Sequence, residues 1–183
     1  MTDETKHIVF VLYPDVSLSS LTGVMEVLEQ AMLEQEHSGG SLSYRISLVS
    51  PGGGRVTSYF NVGLETVPFG QLDGEGIHTL FVPGGLGFRK AMQDPALLVW
   101  VRDRARSAMR ICASGTGSFI LAAAGALQGR QIVTHWLMND EFAAQFPEVS
   151  LVRDRLYMND GPCWTSAGMG ASVEFALALL EED

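Results

Sequence analysis

The feature that most constrains the fold of this chain is the alternation of short apolar strands with segments of helical periodicity. His7 to Tyr13 (HIVFVLY) is a β-branched and aromatic run typical of a buried strand. From Leu18 to Met32 the apolar residues instead recur at the spacing of a helix face, with Ser17 as the expected cap. The same alternation continues along the chain. It predicts an α/β, doubly wound, mainly parallel sheet with helices on both faces.

Turn residues place the remaining elements. Asp94-Pro95 has the order expected of a helix cap and first turn, and it predicts a helix that ends near Ala108. Further strands are predicted at 43–50, 77–82, 109–113 and 131–134, with two or three more between 149 and 165, and further helices at 118–127, 139–145 and 171–180. Residues 55–69 fit short strands or a loop. No repeat or charged linker interrupts the sequence, so we expect residues 1–183 to form one domain.

Composition excludes several classes of function. With 46% hydrophobic and 18% charged residues, the chain has the apolar content of a globular core and not of a disordered tail. Its net charge of −9 argues against direct binding to a phosphate backbone, because nonspecific nucleic-acid affinity comes from basic patches. We therefore expect any contact with DNA to be made by a separate domain.

The N-terminus and the cysteines bear on where the protein works. MTDETKH lacks the basic and apolar regions of a signal peptide, and the apolar stretch at 119–127 is too short to span a bilayer. The two cysteines fit a reducing compartment. We read Cys112 as a small buried residue and expect Cys163, which follows Gly-Pro, to lie in a turn where it could be exposed. A cytoplasmic protein without a membrane partner is expected.

Ligands of doubly wound sheets bind beyond the carboxyl ends of the strands, and four segments of unusual chemistry are expected there. They are the helix carrying Glu26, the pair Gly84-Gly85, the turn Ser114-Gly115-Thr116-Gly117, and His135-Trp136. Missing side chains at Gly84 and Gly85 would let backbone N–H groups face an anion or carbonyl. The convergence of these four segments at one edge of the sheet predicts a small-molecule pocket. The histidines show no metal-ligand spacing and no nucleotide-binding motif is present, so neither a metal nor a cofactor is expected.

The turn at 114–117, here called the elbow, resembles the strand–turn–helix geometry that presents a nucleophile in many hydrolases. The position that would carry the nucleophile is Gly115, which has no side chain. Cys112 lies three residues earlier, about 10 Å away along a strand and on the opposite face. No residue is therefore expected to attack a substrate.

Structural explanations remain open for several of these residues. Glu26 also fits an ordinary helix position, and Thr116 fits a turn residue at the start of a helix. His135 and Trp136 fit a packed strand end as well as a ligand contact.

Several motifs carry a resemblance to a known family. Residues 113–136 (ASGTGSFILAAAGALQGRQIVTHW) resemble the elbow region of PfpI-like proteins, which share the flavodoxin-like, class I glutamine amidotransferase-like fold. The most similar branch is the N-terminal sensor domain of AraC-type transcription regulators. The opening segment with Gly23 and Glu26, the VPGG turn and the terminal LYMNDGPCWTSAGMGASVEFALALL match as well. The resemblance covers nearly the whole chain and implies a fold, a ligand pocket and a dimer.

Two departures from the family pattern bear on catalysis. The alignment of the motif places the family's nucleophilic cysteine on Gly115. The related isocyanide hydratases also carry an aspartate six residues before the position of Glu26, where this chain has Ser20. Glu26, which the resemblance assigns as the acidic neighbour of the cysteine, and Thr116 remain. The resemblance thus implies the fold and the pocket, while the glycine at the position of the family's cysteine argues against catalysis by a thiolate nucleophile.

Three functions follow as expectations. The first is a non-catalytic ligand-sensing and dimerisation domain of an AraC-type regulator, which would bind an amine, amide or amino-acid-like effector and reach DNA only through a C-terminal helix-turn-helix domain beyond Asp183. The second is an isocyanide-hydratase-like or hydrolase-like enzyme that uses Glu26 or Cys112. The third is a structural homodimer without a ligand.

Overall fold

The computed structural model of the protein describes residues 5–40 and 42–183. Its strands are β1 Lys6–Val11, β2 Tyr44–Ser50, β3 Gly54–Thr57, β4 Gly63–Pro68, β5 Thr79–Val82, β6 Arg110–Ser114, β7 Gln131–Ile132, β8 Ser150–Leu151, β9 Tyr157–Asp160 and β10 Cys163–Ser166. Its α-helices are α1 Leu18–Ser38, α2 Phe88–Ala91, α3 Pro95–Ala105, α4 Gly117–Ala123, α5 Asn139–Gln145 and α6 Ser172–Glu182.

The main sheet has eight strands in the order β3-β4-β2-β1-β5-β6-β10-β9. The six inner strands run parallel, and the two edge strands, β3 and β9, are antiparallel to their neighbours. Strands β7 and β8 form a separate parallel pair. The α/β, mainly parallel sheet predicted from the alternation of elements is thus confirmed.

Two apolar cores cover the faces of the sheet. One core joins the sheet to α2, α3, α4 and α5, and Phe119 of α4 lies at its centre with its ring centroid 4.8 Å from Phe88 and 4.9 Å from Phe142. The other core joins the sheet to α1 and α6 through Leu21, Phe175 and their neighbours. Strand β1 is buried along most of its length because both of its faces are covered.

Several predicted boundaries differ from the structure. Helix α1 continues to Ser38 because Gly39, at φ 74°, ends it in the left-handed conformation and donates its N–H to the last carbonyls. Ser17 precedes α1 as expected, but its hydroxyl makes no capping bond and contacts that of Ser19 instead. The short helix α2 was not predicted. The cap at Asp94 is confirmed, since its carboxylate accepts from the N–H groups of Ala96 and Leu97.

The prediction for Cys163 was wrong. This residue opens the inner strand β10, pairs with Ile111 of β6, and is 1% exposed. The preceding Gly161-Pro162 does form a turn, but the turn ends before the cysteine. Cys112, in contrast, is fully buried on the α1–α6 face as expected.

Candidate functional site

The elbow lies at the carboxyl edge of the sheet, where β6 ends at Ser114 and α4 begins at Gly117. Gly115 between them has φ 51°, a left-handed conformation that residues with a Cβ adopt only at a cost. Its N–H donates to the carbonyl of Ser166 at 2.8 Å, and its carbonyl accepts from the hydroxyls of Ser118 and Thr134 at 2.9 and 3.1 Å. These bonds hold the sharp turn in place from three sides.

The position of a side chain at Gly115 can be judged from the backbone. A Cβ built there would lie 3.2 Å from the Cα of Gly168, with no other atom closer than 3.8 Å. This contact is tight, but a shift of a few tenths of an ångström relieves it. The elbow therefore has room for a side chain at Gly115 after a small shift, at the conformational cost of a positive φ.

Thr116 ties the elbow to the loop that follows β5. Its Oγ1 accepts from the N–H of Gly85 at 2.9 Å and donates to the carbonyl of the same residue at 3.0 Å. In this arrangement the hydroxyl is already committed to the protein. A structural role in the turn thus accounts for every hydrogen bond that the structure gives the Thr116 hydroxyl.

Close packing requires the two glycines after β5. A Cβ on Gly84 would lie 2.7 Å from the carbonyl oxygen of Ser114, and one on Gly85 would lie 2.5 Å from that of Asp15. Both distances are shorter than real Cβ contacts, so any larger residue would force the loops apart. Backbone approach explains these glycines without a ligand, and their role in binding remains a prediction.

His135 and Trp136 reach the same edge from the segment after β7. His135 is half-buried, and its Cδ2 would lie 3.3 Å from a Cβ on Gly168, the glycine that also borders Gly115. Trp136 is 69% exposed and stacks on His135 with ring centroids 6.1 Å apart. The structure therefore groups five of the predicted site residues around the elbow: Gly84, Gly85, Gly115, Thr116 and His135, with Trp136 at the rim.

Glu26 lies elsewhere. Its side chain is exposed on α1, in a groove between α1 and α6. The buried residues in the first turn of α1 are Ser20 and Leu21, which are 2% and 1% exposed. Six residues advance a helix by about 9 Å and turn it about 240°, so Glu26 points away from the face that Ser20 presents to the sheet. The structure does not bring Glu26 together with the elbow.

Sequence reasoning missed two features next to the elbow. One is Gly168, whose φ of 116° only glycine tolerates and which lies between Gly115 and His135. The sequence signal that could have identified Gly168 is the TSAG segment at residues 165–168. The other is a set of three serine hydroxyls, on Ser114, Ser166 and Ser172, that are buried and have no hydrogen-bond partner among the described residues.

The three serines share the side of the sheet that faces α1 and α6. Ser114 and Ser166 are directly paired neighbours on β6 and β10. Ser172 opens α6, and its Cβ lies 3.0 Å from the position of a Cβ on Gly23 of α1. Buried hydroxyls are normally satisfied, so such a group marks a place where a small polar species would gain hydrogen bonds.

The thiols of the chain are unsuited to nucleophilic attack. Burial raises the pKa of Cys112 to about 12, against the opposing charge of Arg110. Burial likewise raises the pKa of Cys163 to about 12, against the charge of Arg130. A thiol is nucleophilic as the thiolate, so burial disfavours the reactive form of both groups at neutral pH.

No cluster of three or more metal-ligating side chains occurs in residues 5–40 and 42–183, and no helix within those ranges is long and apolar enough to cross a membrane.

The mainly parallel α/β sheet with helices on both faces and an elbow at its carboxyl edge is the architecture that the resemblance implies, of the class I glutamine amidotransferase type. Within that class, the chain belongs to the DJ-1/PfpI family, whose model matches residues 6–182. The family resemblance stated from the motifs is thus confirmed.

The chain is similar to two curated proteins of different function, an enzyme and a transcription regulator. The chain is 34% identical over 176 residues to "Isonitrile hydratase" of Pseudomonas putida, covering 94% of this chain and 70% of that protein. It is 32% identical over 179 residues to "HTH-type transcriptional regulator CdhR" of Pseudomonas aeruginosa, covering 94% of this chain and 49% of the regulator. The HTH-type regulators GlxA and GbdR are also related. The chain thus spans about half the length of its regulator relatives.

Among solved structures, a ThiJ/PfpI family protein from Pseudomonas syringae superposes with a TM-score of 0.83 at 26% identity, covering 98% of this chain and 69% of that one. This likeness supports the fold over the full described length.

Proposed function

We propose that this chain is a non-catalytic, effector-sensing module of an HTH-type transcription regulator. The observation that carries the proposal is the elbow itself: its left-handed residue is Gly115, which has no side chain, and the motif resemblance implies that the family's nucleophile belongs at this position. The burial of Cys112 and Cys163 supports it, because no other thiol is available to replace the missing one. The regulators among the relatives supply the functional class.

The effector site in this proposal is the carboxyl edge around the elbow, with the exposed Trp136 at its rim. It is bordered by Gly84, Gly85, Gly115, Thr116 and His135. The buried hydroxyls of Ser114, Ser166 and Ser172 add hydrogen-bonding capacity below it. Donors and acceptors of this kind favour a small amine, amide or amino-acid-like compound. Binding acts on transcription only if the effector has different affinities for two states of the regulator.

We propose further that the module works in the cytoplasm as a homodimer. DNA is bound by a helix-turn-helix domain in the half of the regulator that this chain does not match. Sequencing the parent reading frame past codon 183 tests this arrangement. A DNA-binding domain in the following codons supports it, and an immediate stop codon contradicts it.

Thermal denaturation against a library of amines, amides and amino acids tests effector binding. A compound at 100 times its Kd adds about 2.7 kcal/mol to the free energy of unfolding. For a domain of this size, that corresponds to a rise of roughly 5–11 °C in Tm. Trp136→Ala should reduce the shift, while Met109→Ala, which removes an exposed apolar side chain at the opposite edge of the sheet, should leave it unchanged. A library in which no compound stabilises the protein would favour the structural homodimer.

A second function, hydration of an isonitrile, is favoured by one specific observation, the similarity to the isonitrile hydratase over 94% of this chain. A turnover assay with small isonitriles and amides, in preparations free of host homologues, separates it from the sensor. Turnover by the purified wild-type chain would establish an enzyme and overturn the first proposal, whether or not Glu26→Gln abolishes it, because Glu26 lies away from the elbow. The sensor predicts no turnover by the wild-type chain.

A further inference from the structure

A cleft of about 580 Å³ lies beside α3, where this helix meets the segment that connects β4 to β5. It is lined from α3 by residues between Pro95 and Arg104, and from the connecting segment by Phe69 and Asp73. Its volume is in the range of cavities that hold small-molecule ligands. The residues that line this cleft are distinct from those grouped around the elbow, so it is a separate site.

An aromatic pair forms part of the wall of this cleft. The rings of Phe69 and Trp100 are stacked, with centroids 4.2 Å apart and planes inclined by 9°. Beside them on α3, Val99 is 46% exposed, and Pro95 and Ala96 are also exposed to the cleft. Aromatic and aliphatic surface of this kind favours a ligand with a flat, apolar ring.

The indole N–H of Trp100 has no acceptor. Its Nε1 is buried, and no group in residues 5–40 and 42–183 accepts a hydrogen bond from it. Buried tryptophan N–H groups normally have a partner, because an unpaired donor has lost its hydration without compensation. A ligand carbonyl at the edge of the indole would supply the missing acceptor. Since the nitrogen is covered, this bond requires the indole to shift towards the cleft, and such a shift would change its fluorescence.

The charges at the mouth of the cleft favour a cation. Asp73 and Asp103 line it, with side chains 74% and 57% exposed. Arg104 is the one cation in the described lining, and it is already engaged, since it donates to Asp73 at 2.9 Å and lies 5.5 Å from the ring centroid of Trp100. Asp103 contacts only the neighbouring Arg102, at 3.5 Å and in solvent. Its carboxylate is therefore available to an ammonium group.

We propose that this cleft binds a small aromatic amine that also carries a carbonyl oxygen. The ring of the ligand lies against Val99 and the aromatic pair, its carbonyl accepts from the indole N–H of Trp100, and its ammonium group faces Asp103. The cleft follows α3 for nine residue steps, about 14 Å, which suits a small molecule better than an added helix or strand. This site goes beyond the sensing role proposed for the elbow and does not rest on it.

The test uses the full chain and three probes of similar size. The first, para-aminomethylbenzamide, carries the ring, the carbonyl and the ammonium group, whereas benzamide lacks the ammonium group and benzylamine lacks the carbonyl. Affinity is measured by isothermal titration calorimetry, and tryptophan fluorescence reports contact with the indole. Benzamide should bind about threefold more weakly than the first probe, as expected for the loss of an exposed charge pair. Benzylamine should bind about fivefold more weakly, as expected for the loss of one hydrogen bond.

Two variants test the contacts one at a time. Trp100→Phe keeps a ring against Phe69 but removes the N–H, so it should weaken para-aminomethylbenzamide about fivefold and leave benzylamine nearly unchanged. Asp103→Asn, at an exposed position, should weaken para-aminomethylbenzamide about threefold and leave benzamide unchanged. The matched controls are Trp136→Phe, at the rim of the elbow, and Glu148→Gln, at an exposed carboxylate outside the cleft. Neither control should change the affinity of any probe.

The cleft is supported if each variant weakens only the probes that carry the group it contacts. Absence of saturable binding up to the solubility of the first probe would overturn the proposal. Equal weakening by Trp136→Phe would place the probe at the elbow, and equal weakening by Glu148→Gln would mean nonspecific attraction to the net charge of −9; either result would also overturn it. The probes need no effector at the elbow, so a failure of sensing there leaves this result unaffected.

Discussion

Gly115→Ala tests whether the elbow can hold a side chain at all. At φ 51°, a residue with a Cβ costs about 1–2 kcal/mol of conformational energy. The new Cβ must also move a few tenths of an ångström away from the Cα of Gly168, 3.2 Å distant. We expect a total loss of about 2 kcal/mol in the free energy of unfolding, or roughly 4–8 °C in Tm for a chain of this length.

Two other glycines separate the conformational cost of a positive φ from the packing cost of a new Cβ. Gly129 has φ 70° and no atom within 4 Å of the position that a Cβ would occupy, so Gly129→Ala should show the conformational cost alone. A Cβ on Gly117 would lie 2.1 Å from the carbonyl oxygen of Val82, so Gly117→Ala should be far more damaging. Urea denaturation at constant m gives all three values. If Gly115→Ala costs as much as Gly117→Ala, packing requires the glycine, and the assignment of this position to the nucleophile of the family is wrong.

Three further predictions concern the opposite edge and the thiols. Arg110→Met should cost about 1–3 kcal/mol, because Asp183 loses a two-pronged ion pair but keeps its contacts with Lys6 and Tyr44. Arg153→Met, at an exposed pair, should cost less than about 1 kcal/mol. Burial would raise the pKa of Asp183, but hydrogen bonds from Tyr44 and Lys6 and the charge of Arg110 lower it below its ordinary 3.8. The stability it contributes is therefore present above pH 3.8 and lost as pH falls through the lower folded value, so the deficit of Asp183→Asn measured by urea denaturation should shrink in acid. Finally, both cysteines should resist iodoacetamide at pH 8 in the native state and react after unfolding, as followed by mass spectrometry.

Each of these predictions has a result that contradicts it. Equal losses in the free energy of unfolding for Arg110→Met and Arg153→Met would show that the buried ion pair contributes no more to stability than a surface pair. A deficit of Asp183→Asn that stays constant between pH 7 and pH 3 would mean that the folded pKa is not lowered. Rapid native labelling of either thiol would show that the strand carrying it opens readily.

Local sequence determined the order and type of most elements. Apolar runs such as 7–13 and the cap at Asp94 act within a few residues, so their periodicity and turn chemistry are visible in the chain itself. The position of the elbow followed in the same way, since a strand, a glycine-containing turn and a small-residue helix are consecutive in sequence.

Only the tertiary structure decided which side chains meet. Glu26 and Ser20 lie on one helix, yet packing against the sheet buries the serine and leaves the glutamate in an outer groove. The unpaired hydroxyls of Ser114 and Ser166 come together through strand pairing between segments about fifty residues apart. Periodicity gives the faces of an element but not the neighbour that covers each face, because that choice depends on contacts between distant parts of the chain.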